Sequence, residues 1–502
     1  MGINVLSQII DNVKNAGVYS VIMDETQDLK KHEQVSIVLR YCDKQLNVLE
    51  NFIGFYKTEK MDGETLSYLL KNTLQGLGLK IENIRGQCYD GAASMRGSYS
   101  EVAKRIQDEN KLALYVHCHA HILNLCVVDV CGKVAPIRNM FGTLNKIYTF
   151  IGASSKRNSV FEKVQKELNV SNSTLKSLSD TRWSYRIESI RSVLTNFNSI
   201  ISTLEHINET DSIHGSDASS LLKNIQDFEF IFCLKLMKQV LQLTNSLSIH
   251  FQKKNANYSS VGILTNATLL ELESLRNDDS YKLFWTKTEQ FATKEDIRLP
   301  DITRKRKIPS RFGGGEATTI NNISSYFKVS IYFPVLDIII NDIKTKFEEN
   351  NITILNALQC SLSNKNCSDE NILEVCNTYD IIIDDFKAEL KLFSKMCLSS
   401  DIPENFENRL NFFLSKDLIG SFENMYKIFK IYLSIPMSFA SSERSFSSLR
   451  RLKTFTRNTI VQEGLSNIAI LNIENMYPMN FDKIIDQFSA ESTQRGRRLQ
   501  LI

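Results

Sequence analysis

The pattern of apolar and polar positions divides the chain into a strand-rich beginning and a long helical remainder. Apolar residues recur at helical spacing over residues 3–16, which predicts an amphipathic helix that ends at Gly17. A β-branched and aromatic run at 18–26 predicts a buried strand, and similar runs lie at 35–41 and 48–56. Because short polar segments connect the three runs, we expect an antiparallel meander.

Helices and strands then alternate as far as residue 130. Leucines at helical spacing predict a helix over 66–77, with Asp62 as its cap and Gly78 as its stop. Further patterns predict a strand at 84–90, a helix near 99–109, a strand at 112–117 and a helix at 122–130. The order β-β-β-α-β-α-β-α predicts a mixed sheet, with parallel strands added to the antiparallel meander.

From about residue 140 the strand signal fades and helical patterns dominate. They occupy residues 185–207, 220–250, 334–348 and 370–396. One break, at 298–319, contains the basic run Arg304 to Lys307 and three glycines, so we expect a flexible linker or an exposed loop there.

The C-terminal part regains a clear pattern. Pro436 and the serine cluster after it predict the start of a helix that carries Glu443 in its first turn. A second helix is predicted over 460–475, and it is apolar enough to be buried against the fold or against a partner.

Composition narrows the class of protein. A chain of 502 residues exceeds what one core usually organises, so two or three domains are expected. Sixty basic and 57 acidic residues give a net charge of +3, which excludes a polycation and leaves nucleic-acid binding to local clusters. Ten cysteines without regular spacing indicate reduced thiols in the cytosol or nucleus. No run reaches the roughly 18 apolar residues of a membrane span, so no membrane is expected.

Two aspartates end predicted strands. Asp24 closes the first strand and Asp90 closes the fourth, at the sheet rim where open α/β sheets keep their sites. Taken alone, each is most simply a polar residue that ends a strand. Three or more converging carboxylates would instead suit a two-metal site, because hard oxygen ligands hold Mg²⁺ or Mn²⁺. The sequence provides matching contexts for the two aspartates but does not show convergence.

Five short segments in a fixed order carry a family resemblance. They are residues 23–26 (Met-Asp-Glu-Thr), 88–92 (Cys-Tyr-Asp-Gly-Ala), 118–121 (Cys-His-Ala-His), 181–183 (Thr-Arg-Trp) and 442–447 (Ser-Glu-Arg-Ser-Phe-Ser). Together they resemble the hAT-superfamily transposases, above all the relatives near the MYM-type zinc-finger proteins.

The resemblance implies an RNase H-like catalytic domain that a large helical insertion interrupts. The expected parts are residues 1–140 (N-terminal part of the RNase H-like domain), 141–434 (helical insertion with the basic loop), 435–480 (hAT dimerisation region that completes the fold) and 481–502 (tail). The resemblance also implies an acidic triad of Asp24, Asp90 and Glu443, which would bind Mg²⁺ or Mn²⁺ and carry out DNA cleavage and strand transfer. Without the resemblance, Glu443 is an ordinary acid at a helix N-terminus.

The His/Cys cluster at 117–121 leaves two arrangements open. On a strand, His117, His119 and His121 would share one face, whereas on a helix Cys118 and His121 would be neighbours. Neither arrangement has the second ligand pair of a structural zinc site, so no zinc is expected. The resemblance implies instead that Cys118 and His121 pack beside the active site.

Candidate DNA-binding residues lie in two places. By resemblance, Trp183 would stack on a flipped base with Arg182 near phosphate, and the alternative is a tryptophan in a helical core. Arg444, Arg450 and Arg451 follow Glu443 and could contact the DNA backbone, or they could be solvated charge.

Two hypotheses from different classes remain. The first is a metal-dependent transposase-like protein that cuts and joins DNA. The second is a domesticated nuclear factor that keeps the fold, dimerises or forms a higher homo-oligomer through the C-terminal region, and does not transpose. The sequence has no Cys/His set with zinc-finger spacing, which favours either a truncated transposase or the domesticated form. A nuclear location is expected for both, and the basic run at 304–307 could be an import signal.

Overall fold

The described residues of the computed structural model form two compact units. They are residues 1–89, 98–170, 174–178, 183–253, 258–300, 322–348, 353–363, 367–454, 457, 459–482 and 484–486. Unit 1 consists of Met1–His121, Phe251–Val261 and Glu349–Ile502, and unit 2 consists of Ile122–His250 and Gly262–Glu348.

The elements are named α1 to α21 and β1 to β5 along the chain. In order they are α1 (Gly2–Ala16), β1 (Tyr19–Gln27), β2 (Glu33–Cys42), β3 (Val48–Thr58), α2 (Gly63–Gly76), β4 (Ile84–Tyr89), α3 (Ser98–Glu109), β5 (Leu114–Tyr115), α4 (His119–Lys133), α5 (Ala135–Gly152), α6 (Ser155–Glu167), α7 (Trp183–Thr195), α8 (Phe197–Thr210), α9 (Gly215–Ile225), α10 (Phe228–Phe251), α11 (Tyr258–Leu275), α12 (Asp278–Lys294), α13 (Ile323–Phe327), α14 (Phe333–Glu348), α15 (Thr353–Ser363), α16 (Asp369–Tyr379), α17 (Ile383–Ser399), α18 (Phe406–Ser415), α19 (Glu423–Ser434), α20 (Ala440–Leu452) and α21 (Gln462–Ile473).

Unit 1 is built on one mixed sheet with the strand order β3-β2-β1-β4-β5. The first three strands are antiparallel neighbours, and β4 and β5 are added in parallel. The predicted mixed α/β architecture is therefore confirmed. Strand β5 is shorter than the predicted 112–117, although the Val116 N–H still donates to the Gln87 carbonyl at 2.9 Å.

Helices cover the sheet because its strands are buried along most of their length. Strands β1, β2 and β3 are mainly apolar, and they contact α1, α19, α20 and α21. Helix α1 ends at Gly17, whose φ of 79° is a left-handed conformation that glycine adopts without strain. Asp62 caps α2 by accepting a hydrogen bond from the Thr65 N–H at 2.8 Å, as predicted.

The helices between 353 and 434 pack within unit 1. They are α15 to α19, which the sequence predicts to be part of the helical insertion. Packing units and sequence domains are different divisions, so the predicted domain boundaries stay predictions. The packing nevertheless brings α19 onto β1, β2 and β4.

All the regular elements in the described part of unit 2 are helices, and its core contains an aromatic cluster. Phe232 packs against Phe327 and Phe284, with ring centroids 4.8 Å and 5.1 Å apart. The predicted helix over 185–207 is two helices here, α7 and α8, because the buried Asn196 interrupts it and pairs with the Gln165 amide at 2.7 Å.

Two further predicted helices are also interrupted. The predicted helix over 220–250 consists of two helices, α9 and α10. The predicted helix over 370–396 consists of α16 and α17, and both of these lie in unit 1. Asp380 ends α16 in the left-handed conformation, with φ 52°. Apolar periodicity continues across such breaks, since both helices bury a face in one core, and it therefore does not reveal them.

One stretch of the described chain, Ile323–Phe347, is long and apolar enough by composition to cross a membrane. Its residues Ile331, Val335 and Ile339 are buried in unit 2. A core helix of a folded protein has the same composition, so the described residues contain no clear membrane span.

Gly86 of β4 allows the segment 435–436 to cross the sheet. A Cβ at this position would lie 2.8 Å from Pro436 Cδ and 2.8 Å from Ser20 Oγ. These distances are too short for real contacts, so a side chain here would displace the segment that leads into α20.

We expect Gly86→Ala to destabilise unit 1 by about 1–3 kcal/mol, because the added methyl overpacks this crossing. Gly76→Ala is the matched control, because a Cβ there meets nothing within 4 Å. Urea unfolding should be followed by circular dichroism, since both tryptophans, Trp183 and Trp285, lie in unit 2. If Gly86→Ala and Gly76→Ala are equally stable, the close packing of Gly86 against Pro436 and Ser20 is contradicted.

Candidate functional site

Asp24 lies near the C-terminal end of β1 and is 6% exposed. Its Oδ1 accepts a hydrogen bond from the Glu25 N–H at 2.8 Å. In the antiparallel ladder between β1 and β2, Asp24 lies opposite Ser36. On the other side, Met23 is paired in parallel with Tyr89 of β4. Asp90 follows Tyr89 directly in the sequence but lies outside the described residues.

Glu443 lies in the first turn of α20 and is half-buried. Two neighbours on this helix contact the sheet near Asp24. The Ser442 hydroxyl donates to the Ile22 carbonyl at 3.5 Å, and the Ser445 hydroxyl lies 2.8 Å from the Ser36 hydroxyl. Because Ser36 is the cross-strand partner of Asp24, the helical turn that bears Glu443 packs onto the part of the sheet that bears Asp24.

The donor chemistry at this place fits a hard divalent cation. Asp24 and Glu443 both offer carboxylate oxygens, which Mg²⁺ and Mn²⁺ prefer. Within the described ranges, no group of three His, Cys, Asp or Glu side chains has the geometry of a metal site. With Asp90 outside those ranges, the three-carboxylate site stays a prediction.

A buried ion pair holds the first turn of α20 on the sheet. Arg40 of β2 and Glu50 of β3 form a salt bridge of 2.6 Å, with both side chains almost fully buried. Glu50 also accepts a hydrogen bond from Ser441, and the Arg444 guanidinium lies 3.8 Å from its second oxygen. Arg444 further donates to the Gln252 carbonyl at 2.9 Å. Arg444, a predicted DNA-binding residue, is thus bonded within unit 1 while its side chain stays 45% exposed.

A second buried ion pair holds the other end of α20. Lys453 donates to Asp28, which lies in the connection between β1 and β2. Burial tends to raise the pKa of Asp28, but hydrogen bonds from Lys453 and from the His32 and Lys30 N–H groups outweigh it and lower that pKa. Helix α20 is therefore fixed to the sheet by charged groups at both ends.

The Cys/His cluster contacts the segment just before α20. Helix α4 begins at His119, which decides between the two arrangements in favour of the helix. The Phe439 N–H donates to Cys118 Sγ at 3.5 Å, and the His121 ring lies 6.3 Å from the Phe439 ring. Cys118 and His121 thus contact the same residue, four positions before Glu443.

His119 links this cluster to the same segment. Its Nδ1 lies 3.0 Å from the Met437 carbonyl, and since a carbonyl only accepts, Nδ1 carries the proton. Burial lowers the pKa of His119 to about 4, against an opposing effect of the hydrogen bond to Met437. The ring is therefore neutral at pH 7.

We expect unit 1 to lose stability as the pH falls from about 6.5 to about 4. Unfolded histidine takes up a proton in this range while buried His119 does not, so protons favour unfolding by up to about 3 kcal/mol at pH 4. His119→Phe should flatten this dependence in urea unfolding curves. His206→Gln, a change to an exposed histidine of α8, should leave it unchanged. If stability depends on pH in the same way in wild type and in His119→Phe, the buried neutral state of His119 is not the cause of this dependence.

The other predicted DNA-binding residues are placed as follows. Arg450 and Arg451 are exposed on the last turn of α20, where Arg451 donates to Ser448 Oγ at 3.1 Å. Trp183 begins α7 in unit 2, and its side chain is not among the described groups. Arg182 lies outside the described residues, and so does the basic run 304–307.

Sequence reasoning missed the residues that hold α20. Arg40 and Glu50 are charged residues inside apolar strand patterns. Since a buried charge needs a partner, these two positions could have indicated a buried ion pair. Their mutual contact across β2 and β3, and their contact with residue 441, cannot be read from local patterns.

Two parts of the chain match models of known families. Residues 1–101 match the ZMYM1/FAM200 RNase-like domain, and residues 391–477 match the hAT family C-terminal dimerisation region. These matches lie at the two ends of the chain that form the sheet and the helices α20 and α21.

The chain is also similar to curated proteins over nearly its whole length. It is 23% identical over 512 aligned positions to the protein named 52 kDa repressor of the inhibitor of the protein kinase from Homo sapiens. The identity to the Mus musculus protein of the same name is 23% over 514 positions. Each alignment covers 97% of this chain and 66% of the relative, so the chain spans just under two thirds of the length of these proteins.

These findings confirm the recognition from sequence motifs. The chain resembles hAT-derived proteins, and it carries a hAT-type dimerisation region.

Proposed function

We propose that unit 1 is an RNase H-like core that cleaves and joins DNA strands, with Asp24, Asp90 and Glu443 as its metal-binding acids. The observation that carries the proposal is the packing of α20 on the sheet. It brings the turn of Glu443 onto Ser36, the strand partner of Asp24. The motifs at 23–26 and 442–447 thus belong to one unit.

Each residue has a role that follows from its position. Asp24 is held by the strand and by the Glu25 N–H, so its carboxylate is fixed before substrate binds. Glu443 is supplied by a helix that two ion pairs attach to the sheet. Bound Mg²⁺ or Mn²⁺ would activate the attacking water or hydroxyl and stabilise the leaving oxygen of the phosphodiester.

The proposed DNA contacts follow from charge and exposure. Arg450 and Arg451 are exposed on the helix that carries Glu443, where they can bind backbone phosphates. Arg444, near the start of the same helix, keeps a partly exposed guanidinium. Trp183 and Arg182 are proposed to hold an unpaired base, and a DNA substrate implies a nuclear location.

We expect the full chain to nick supercoiled DNA in the presence of Mg²⁺ or Mn²⁺. Asp24→Asn and Glu443→Gln should each lower the rate at least about 100-fold, since a metal contributes several kcal/mol to the transition state. The matched controls are Asp11→Asn and Glu463→Gln, which alter exposed acids of the same unit. Wild-type rates in the Asp24 and Glu443 variants would rule out this chemistry, provided that the controls are active.

A second candidate function is a domesticated dimerising interaction factor without strand transfer. The match to the dimerisation region over 391–477 supports self-association. The relatives are named as a repressor of an inhibitor of a protein kinase, which is a regulatory role. In this case the fold is retained for binding proteins or DNA, and the carboxylates are not used.

For this second candidate we expect the purified chain to have twice the mass of one chain in light scattering, with no metal-dependent nicking. Deletion of the dimerisation region is not a suitable test, because Leu465, Ala469 and Ile470 are part of the core of unit 1. A monomer at all concentrations would contradict self-association, and nicking lost in Asp24→Asn would favour the first function.

A further inference from the structure

Unit 2 contains a cleft between helices α4, α5 and α7, which we call the α5 cleft. Its volume is about 490 Å³, within the range of about 300–1,000 Å³ in which proteins bind small molecules. Val128, Phe141 and Leu178 form an apolar part of its wall. Val128 is 44% exposed, so a ligand in the cleft would cover apolar surface that unit 2 leaves open.

Two arginines also line the α5 cleft. Arg186 of α7 is 6% exposed, and its guanidinium carbon lies 5.5 Å from the centroid of the Phe141 ring. Arg138 of α5 is exposed. A guanidinium offers several N–H donors in a planar fork, so it can bind a carboxylate or a phosphate in addition to its contacts within the protein. The cleft therefore combines cationic donors with an apolar wall.

The charge of the α5 cleft favours an anionic ligand. None of the described residues that line it is acidic. A neighbouring cleft of about 470 Å³ shares Arg138 with it, but that cleft is also lined by Lys146 and by the acids Asp227 and Glu229. Its charges are therefore balanced within the protein, whereas those of the α5 cleft call for a negative group from outside.

Gly142 keeps the α5 cleft open on the side of α5. It is an exposed residue in the middle of this helix, and a Cβ at its position would meet nothing within 4 Å. Glycine destabilises the interior of a helix relative to alanine, and no neighbouring atom here requires it. Close approach of a ligand to the backbone is a physical use for a glycine in the wall of a cleft.

We propose that the α5 cleft binds a small aromatic anion, that is, a planar ring with one carboxylate or phosphate group. The ring would pack against Val128, Phe141 and Leu178, and the anionic group would bind the guanidinium groups of Arg138 and Arg186. The proposal concerns unit 2, and it does not depend on the strand-transfer or dimerising functions proposed above.

The test is isothermal titration of the full chain with 2-naphthoate and with 2-naphthyl phosphate. Both probes have the same ring, so their relative affinities show whether the cleft prefers a carboxylate or a phosphate. We expect one site per chain with a dissociation constant of about 1 mM or below, an affinity that ligands of this size reach. The neutral 2-naphthamide should bind at least about 10-fold more weakly, because hydrogen bonds to a charged group are stronger.

Two variants locate the site within the chain. Gly142→Leu should weaken binding at least about 10-fold by filling the cleft, and its side chain starts in open space, so unit 2 should stay folded. Gly152→Leu is the matched control, because Gly152 is another exposed glycine of α5 whose Cβ would meet nothing within 4 Å. Arg138→Met should weaken binding by a similar factor, whereas Arg191→Met, a change to an exposed arginine of α7, should not.

Each outcome decides the proposal once circular dichroism shows wild-type helix content in the variants. Binding of a naphthyl anion that is lost in Gly142→Leu and Arg138→Met, but kept in both controls, supports it. Equal affinity for 2-naphthamide, or binding that persists in Gly142→Leu, overturns it. If neither anion binds while a single-stranded oligonucleotide binds and loses affinity in Arg138→Met, the cleft is a nucleic-acid contact and the proposal is also overturned. Absence of all binding overturns it as well.

Discussion

The contact between α20 and the sheet is the interaction on which the rest of unit 1 depends. It joins parts of the chain more than 400 residues apart, as in the bond between Ser442 and Ile22. Two buried ion pairs, Arg40–Glu50 and Asp28–Lys453, lie at its ends. Such pairs add little net stability over apolar contacts, but breaking one leaves an unpaired buried charge. We infer that they specify one position for α20.

That single position determines how the C-terminal segment meets the N-terminal sheet. The turn of α20 that contains Glu443 packs onto the part of the sheet that bears Asp24, through Ser442 and Ser445. The helix that follows, α21, completes the core with Leu465, Ala469 and Ile470. The proposed metal site and the region that matches the dimerisation family model therefore both require the two ends of the chain to be folded together.

The local elements of unit 1 were predictable because each depends on nearby residues. Periodicity located the first helix and the strands, and Asp62 and Gly17 marked helix ends by their own chemistry. The interruptions at Asn196 and Asp380 were not predictable, because apolar spacing continues through them. The sequence left open whether the Cys/His cluster at 117–121 lies on a strand or at the start of a helix, and the structure shows that α4 begins at His119.

The positions of the candidate site residues were predictable only in part, for a related reason. The sequence predicts Asp24 at the end of a strand and Glu443 in the first turn of a helix, and the structure places them near the end of β1 and in the first turn of α20. Their role as metal ligands stays a prediction. Nothing local revealed that Ser445 meets Ser36, that Gly86 makes room for Pro436, or that Glu50 bonds to Ser441. These are long-range contacts, and their partners are set by the fold as a whole.

The most direct test of the central claim is the binding of Mn²⁺ to the full chain, measured by electron paramagnetic resonance of the free ion. If α20 holds Glu443 in one site with Asp24, wild type should bind Mn²⁺, and Asp24→Asn and Glu443→Gln should each weaken binding by a similar factor. The double variant should then be little weaker than either single one, since both changes disable one site. Unchanged Mn²⁺ binding in the two single variants would contradict the shared site.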